Sequence, residues 1–235
     1  MILDLRSQFS VASSGVFCYN NSMTITWYGH SCFRIEGKNI SLIIDPFSKE
    51  IGLRPPRLAK DNIVLISHNH FDHNNTEGVQ DGAMVISGPG EYEKSGVQVE
   101  GISSYHDNQN GKERGLNTIY IIRTEGITLC HLGDLGQDEL SHEQSEAIGN
   151  IDILFIPVGG KYTIDAKTAS EIVKEIDPKI IIPMHYKIEG LNVDIDTHQN
   201  FLKEVGIKSE DVGSSWKVNE KSLPVDETKL IVFKI

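Results

Sequence analysis

Apolar residues in this chain fall mostly into short runs divided by glycine, proline and polar residues, so the pattern predicts more strand than helix. Thr24–Tyr28, Ser31–Ile35 and Ile40–Ile44 are rich in β-branched and aromatic residues and are punctuated by Gly29 and Gly37. They read as a meander of antiparallel strands. Ile63–Ile66 is a continuous apolar run, the pattern of a strand buried on both faces, and Ile151-Asp-Ile-Leu-Phe-Ile156 reads as another buried strand. A second β-rich stretch extends from Met84 to Cys130 and includes Gly96–Glu100, Thr118–Ile122 and Ile127–Cys130. Lys179–Pro183 and Lys229–Phe233 complete the predicted strands.

Helical periodicity is confined to the second half. Ser141 can cap a short helix ending at Ile148. After Asp165, a second potential cap, Ala166, Ala169, Ile172, Val173 and Ile176 recur at helical spacing until Asp177-Pro178. A last helix is predicted around Thr197–Val205. Strands first, then alternating strands and helices, predict one α/β (α+β) domain with two mixed sheets and helices outside. Pro46 and Pro55-Pro56 interrupt regular structure, and the segment between them is a candidate rim or lid. Residues 1–22 are polar, rich in Ser and Asn, and lack the apolar core of a secretion signal. They are expected to be a poorly ordered extension preceding a folded domain at 23–235.

Composition narrows the function. The 235 residues include 22 Lys+Arg against 33 Asp+Glu, giving a net charge of −11. An acidic surface disfavours a nucleic-acid partner, because phosphate neutralisation needs clustered cations. No apolar run reaches the roughly 18 residues of a membrane span, so no membrane partner is expected. The three cysteines, Cys18, Cys32 and Cys130, form neither a disulfide framework nor a metal knuckle, which favours the cytoplasm. Cys32 and Cys130 lie in β runs and read as small core residues.

The nine histidines carry the chemical signal. His68-Asn-His70-Phe-Asp72-His73 places three imidazoles and a carboxylate at the exit of a buried strand. Imidazole and carboxylate suit zinc and related divalent ions, and groups packed this closely repel one another unless a cation lies among them. A lone histidine is usually a surface or packed residue; this cluster is not lone.

The same run resembles the signature of the metallo-β-lactamase fold hydrolases, and the resemblance covers nearly all of Met23–Ile235. Asp45 before Pro46, His106 in Ser103-Ser-Tyr-His106, Asp134 in His131-Leu-Gly-Asp134 and His185 in Pro183-Met-His185-Tyr186 match further motifs of that family. Trp27-Tyr-Gly-His30 and Pro157-Val-Gly-Gly160 are most similar to the branch that includes ascorbate-6-phosphate lactonase. The resemblance implies a four-layer αββα sandwich and two divalent metal ions, zinc in the first instance, with manganese or iron as alternatives. It implies that His68, His70 and His106 hold one ion, that Asp72, His73 and His185 hold the other, and that Asp134 bridges them. His131 competes with His106 for the third-ligand position. Asp45 is expected to orient a ligand imidazole. His30 is a rim residue or a structural histidine, and His142 and His198 are assigned to helix surfaces.

Two divalent cations outweigh Asp72 and Asp134, so such a site is net positive within an acidic protein. The resemblance implies a metal-bound hydroxide, formed at a pH of about 7 and oriented by Asp72, that attacks a small ester, lactone or phosphate ester. Lys161, Tyr162 and Thr163, and the segment Lys112–Arg114, are candidates for recognising an anionic small molecule, against the alternative of solvated loops. A phosphodiesterase or nuclease, a phospholipase of the same superfamily, and an inactive metal-binding protein are the competing readings. Relatives suggest a homo-oligomer.

Overall fold

The structure is a computed structural model and describes residues 22–38 and 40–235. The extension expected at 1–22 therefore lies outside the described residues, Ser22 excepted. The first half of the chain forms β1 (Met23–Gly29), β2 (Cys32–Glu36), β3 (Ser41–Ile44), β4 (Ile63–Leu65), β5 (Met84–Ile86), β6 (Gly90–Lys94) and β7 (Val97–Tyr105). There follow β8 (Leu116–Thr124), β9 (Ile127–His131), α1 (His142–Ile148), β10 (Ile153–Pro157), α2 (Ala166–Ile176) and β11 (Ile180–Met184). The last elements are α3 (Gln199–Val205), β12 (Ser209–Val212), β13 (Ser215–Val218) and β14 (Lys229–Phe233).

These strands build two mixed sheets. One has six strands in the order β13-β1-β2-β3-β4-β5, and the other has eight in the order β12-β14-β11-β10-β9-β8-β7-β6. β1, β2 and β3 are the predicted antiparallel meander, whereas β4 and β5 add parallel to β3. In the larger sheet β12, β14, β11, β10 and β9 are mutually parallel, and β8, β7 and β6 continue antiparallel. The runs that read as doubly buried strands are buried at every position in β4 and β10, and β11 is buried throughout as well. β1 alternates between buried and half-buried residues, as a strand nearer an edge does.

Trp27, Phe33 and Ile35 from one sheet pack with Tyr120, Leu129 and Phe155 from the other in a shared core. The opposite face of the six-stranded sheet presents Cys32, Ile43, Val64 and Ile66 to Phe47, Ile51 and Leu58. The segment expected to be a rim or lid thus also covers that face, with a 3-10 turn at Lys49–Ile51. On the larger sheet the outer layer is helical. Ser141 caps α1 in a reciprocal box with Gln144, and Asp165 caps α2 by accepting the Thr168 N–H. α2 ends at Asp177 in the left-handed region, just before Pro178.

Candidate metal centre

Parallel strands carry their carboxyl ends to one edge of a sheet, and β7, two antiparallel steps from β9, points the same way as β9. Residues just past these strands become neighbours: His106 after β7, Asp134 after β9 and His185 after β11. From the other sheet come Asp45 after β3, the His68–His73 run after β4 and His30 in the turn between β1 and β2.

Three of these residues, His30, Asp45 and His185, have φ of 55°, 46° and 50°. Left-handed backbone is unfavourable for side-chain-bearing residues and persists where the surroundings dictate it. The His30 carbonyl accepts both the His185 N–H and the Trp27 indole N–H, each at 3.1 Å, so two of the three turns fasten one another. Glycine permits the remaining close approaches. A Cβ at Gly136 would lie 2.3 Å from the His106 backbone, and one at Gly159 would lie 2.1 Å from the His185 carbonyl oxygen.

Asp134 sits at the middle of the cluster. Its Oδ2 is 3.1 Å from His185 Nε2, 3.3 Å from His73 Nε2, 3.5 Å from His106 Nε2 and 3.8 Å from His68 Nε2. Asn117 holds its backbone by accepting the Asp134 N–H at 3.0 Å, and Asn117 is itself tied to Leu132 and Ser104. Ser31 donates to Asp134 Oδ1 at 3.4 Å. Neither Asn117 nor Ser31 was expected from the sequence; a buried asparagine inside an apolar strand run was the only available signal. Nitrogen atoms of His68, His70 and His106 lie within 4.8 Å of one another, as do those of His30, His73 and His185.

The outer hydrogen bonds fix which nitrogens face inward. The Ser67 hydroxyl donates to Asp45 Oδ2 at 2.7 Å, so at 2.9 Å it accepts from His68 Nδ1, which leaves His68 Nε2 as the lone-pair nitrogen. Asp45 also accepts from Ser67 N–H at 2.7 Å and from His73 Nδ1 at 3.0 Å. The Nε2 atoms of His68 and His73 are buried without a hydrogen bond. Such orphaned imidazole nitrogens around an ionised carboxylate fit a divalent cation.

Electrostatics points the same way. Burial pushes His68 down to about 3 and His30 to about 4, with neighbouring imidazoles adding to the effect, and burial also lowers His106. Burial opposes the charge on His73 too, but Asp134 and Asp45 outweigh it and hold His73 well above the usual histidine range. Burial would protonate Asp134, yet His185 and His73 keep it well below the usual carboxylate range; Asp72 is likewise lowered, chiefly by its bond from His30. His30, His68 and His106, neutral, and Asp72 and Asp134, ionised, are thus in the forms that bind metal, and a cation on His73 would replace the proton that Asp134 and Asp45 hold there.

Several expectations change in detail. His30 is not a rim residue: it is fully buried, donates to Asp72 Oδ2 at 3.1 Å and packs at a tilt against His185, with ring centres 4.3 Å apart. His131 uses both ring nitrogens on backbone groups, donating to the Ser31 carbonyl at 3.0 Å and accepting the Gly133 N–H at 3.1 Å. Neither nitrogen is free for a ligand role. Lys161 pairs with Asp194 at 2.8 Å, and the Thr163 hydroxyl turns to the Ile164 carbonyl. His142 is on an exposed helix face as expected, whereas His198 stands at the start of α3 with its ring on Tyr186. Cys32 and Cys130 are buried free thiols. No helix of the described residues is long and apolar enough to cross a membrane.

The cluster opens into a cleft of about 560 Å³ whose lining includes Asp72, His70, His106, Asp134, His185 and Tyr162. That size suits a small molecule.

Residues 24–185 match the beta-lactamase superfamily domain. A UPF0173 metal-dependent hydrolase of Thermoplasma acidophilum is 32% identical to the chain, over 70% of this chain and 84% of its own length. A UPF0173 metal-dependent hydrolase of Lawsonia intracellularis is 30% identical over 77% of this chain and 90% of its own. Among solved structures, a Thermotoga maritima protein described as a Zn-dependent hydrolase of the metallo-beta-lactamase superfamily superimposes with a TM-score of 0.74 at 36% identity, covering 90% of this chain and 98% of that one.

Proposed function

The chain belongs to the beta-lactamase superfamily, and from that premise we propose that it is a metal-dependent hydrolase whose centre is the cluster around Asp134. The observation that carries the reading is the convergence of four imidazole nitrogens within 3.8 Å of one Asp134 oxygen, from three separate segments. His68, His70 and His106 would hold one divalent ion and His73, His185 and Asp72 a second, with Asp134 between them. Zinc is the first choice of metal, in keeping with the name of the Thermotoga relative. When bound, such ions polarise a carbonyl or phosphoryl oxygen and lower the pKa of water at the site toward about 7.

The chain's own residues then have defined tasks. Asp72, ionised and held by His30, orients the attacking water and accepts a hydrogen bond from it. Asp45 and Ser67 hold His68 and His73 with Nε2 inward. His106 takes the third-ligand role, because His131 is spent on backbone groups. Tyr162, Phe71 and Ile51 line the space for the substrate. Water adds across an acyl–oxygen or phosphorus–oxygen bond, releasing an acid and an alcohol. We favour a small ester, lactone or phosphate ester over nucleic acid, given the net charge of −11.

A panel of lactones, carboxylic esters, and phosphate mono- and diesters assayed with zinc-loaded protein tests this reading. Turnover of at least one class, lost in Asp134→Ala, is expected. Turnover of none, or turnover equal in Asp134→Ala, contradicts it.

A further inference from the structure

The cleft walls away from the cluster have their own chemistry. Ile51, Phe71 and Val193 make part of the lining apolar. Phe71 lies inside the His68–His73 run yet is 58% exposed, and Tyr162, also on the cleft, is 42% exposed. Two of the large exposed apolar side chains thus stand at a cavity that adjoins the cluster, where they can pack against an apolar part of a ligand.

The charges are equally selective. Glu50, Asp72, Asp134 and Asp194 line the cleft, and Arg114 is the only lysine or arginine among the described residues that do. Lys161 is neutralised by Asp194. Among the described residues Arg114 pairs with one carboxylate, its exposed neighbour Glu113 at 3.6 Å, and its guanidinium lies 5.8 Å from the centre of the Tyr162 ring. A cation on an aromatic face keeps its donors available at the ring's edge.

The backbone of Arg114 is fixed relative to the centre. Asp107, directly after His106, accepts N–H groups from Gln109 and Gly111 through Oδ1 and from Glu113 and Arg114 through Oδ2, at 2.8–2.9 Å. One buried carboxylate therefore gathers the whole loop and sets Arg114 at the cleft.

We propose that Arg114 recognises an oxyanion on the substrate, and that the substrate is an amphiphilic acid. Its carboxylate or phosphate engages the guanidinium fork, an apolar segment packs on Phe71, Ile51 and Val193, and the scissile bond lies at the cluster. The proposal rests on the hydrolase reading, and its test separates the two. The probes are the mono-4-nitrophenyl ester of adipic acid, its terminal carboxamide analogue, and the analogue ending in a phosphate monoester. Wild-type, zinc-loaded protein is expected to favour an anionic ester over the carboxamide at least tenfold in kcat/KM. Arg114→Ala brings that ratio close to one, Arg114→Lys keeps part of it, and neither changes zinc content. Phe71→Ser lowers kcat/KM for all three esters and leaves the ratio intact.

A preference that survives in Arg114→Ala, or none in the wild type, overturns the proposal. Turnover of no ester counts against hydrolysis alone, and calorimetry of metal-free protein with adipate and adipamide then decides the anion site. Adipate binding that is lost in Arg114→Ala upholds it; equal binding by the variant, or no binding at all, overturns it.

Discussion

Asp45 shows how much of the site depends on a residue that does not face the cleft. It is fully enclosed at the end of β3, in left-handed backbone, and ties Ser67, His73 and, through Ser67, His68 into one orientation. Losing such a partner typically weakens metal binding 10- to 100-fold. Asp45→Asn is therefore expected to lower zinc affinity by about that factor, read by competition against a chromogenic chelator; unchanged affinity would remove Asp45 from the account. The histidines divide in a similar way. His106→Ala should lose bound zinc, whereas His131→Ala should keep zinc and lose stability, because the Ser31 carbonyl and Gly133 N–H lose their partners. Zinc content and melting temperature of the two variants check this, and a greater zinc loss in His131→Ala would reverse the assignment. The His68–His73 run was legible because its chemistry is packed into consecutive residues. His30 was not, because its burial under Asp72 depends on a positive-φ turn and on a strand pairing that no local pattern encodes.

Elements were legible where apolar patterning forms them and obscure where pairing does. β4, β10 and β11 are buried throughout and announce themselves as apolar runs. β12 and β13 carry Ser209-Glu-Asp-Val212 and Ser215-Trp-Lys-Val218 at the sheet edges, where partner strands supply the order that composition does not. The loop between β7 and β8 is the element whose order has a pH signature. Four N–H groups on Asp107 hold its pKa at about 2, below the ordinary aspartate value. A lowered folded-state pKa contributes stability that is complete above the unfolded value near 4 and is lost as pH falls toward about 2. Asp107→Asn is expected to remove that component, giving a shallower acid-unfolding profile across this window and a faster-exchanging loop at 107–115. Hydrogen exchange and acid titration read both effects, and an unaltered profile would contradict the loop assignment. Tyr120 couples the sheets in another way, donating to the Ile66 carbonyl at 2.8 Å while accepting the Gly88 N–H at 3.1 Å. Tyr120→Phe strips both groups of a partner and should cost about 1–3 kcal/mol, seen as a drop in melting temperature.

At the scale of the molecule, two mixed sheets meet over one core and bring the ends of β1, β3, β4, β7, β9 and β11 to one cluster. In an acidic chain that gathers ionised Asp72 and Asp134 among buried imidazoles, bound divalent cations would be the largest local positive charges. Binding to the folded state alone adds stability by mass action, about 2.7 kcal/mol at a hundredfold excess over Kd. For a chain of this size that corresponds to about 5–11 °C in melting temperature. Stripping the metal should lower the melting temperature by that amount, and restoring zinc should recover it. The most direct test of the central claim is the zinc retained per chain after reconstitution and gel filtration, for the wild type and for Asp134→Ala. Two equivalents in the wild type, and at most one in the variant, are expected. A wild type that retains none, or a variant that retains as much as the wild type, would contradict the assignment of this cluster as the metal centre.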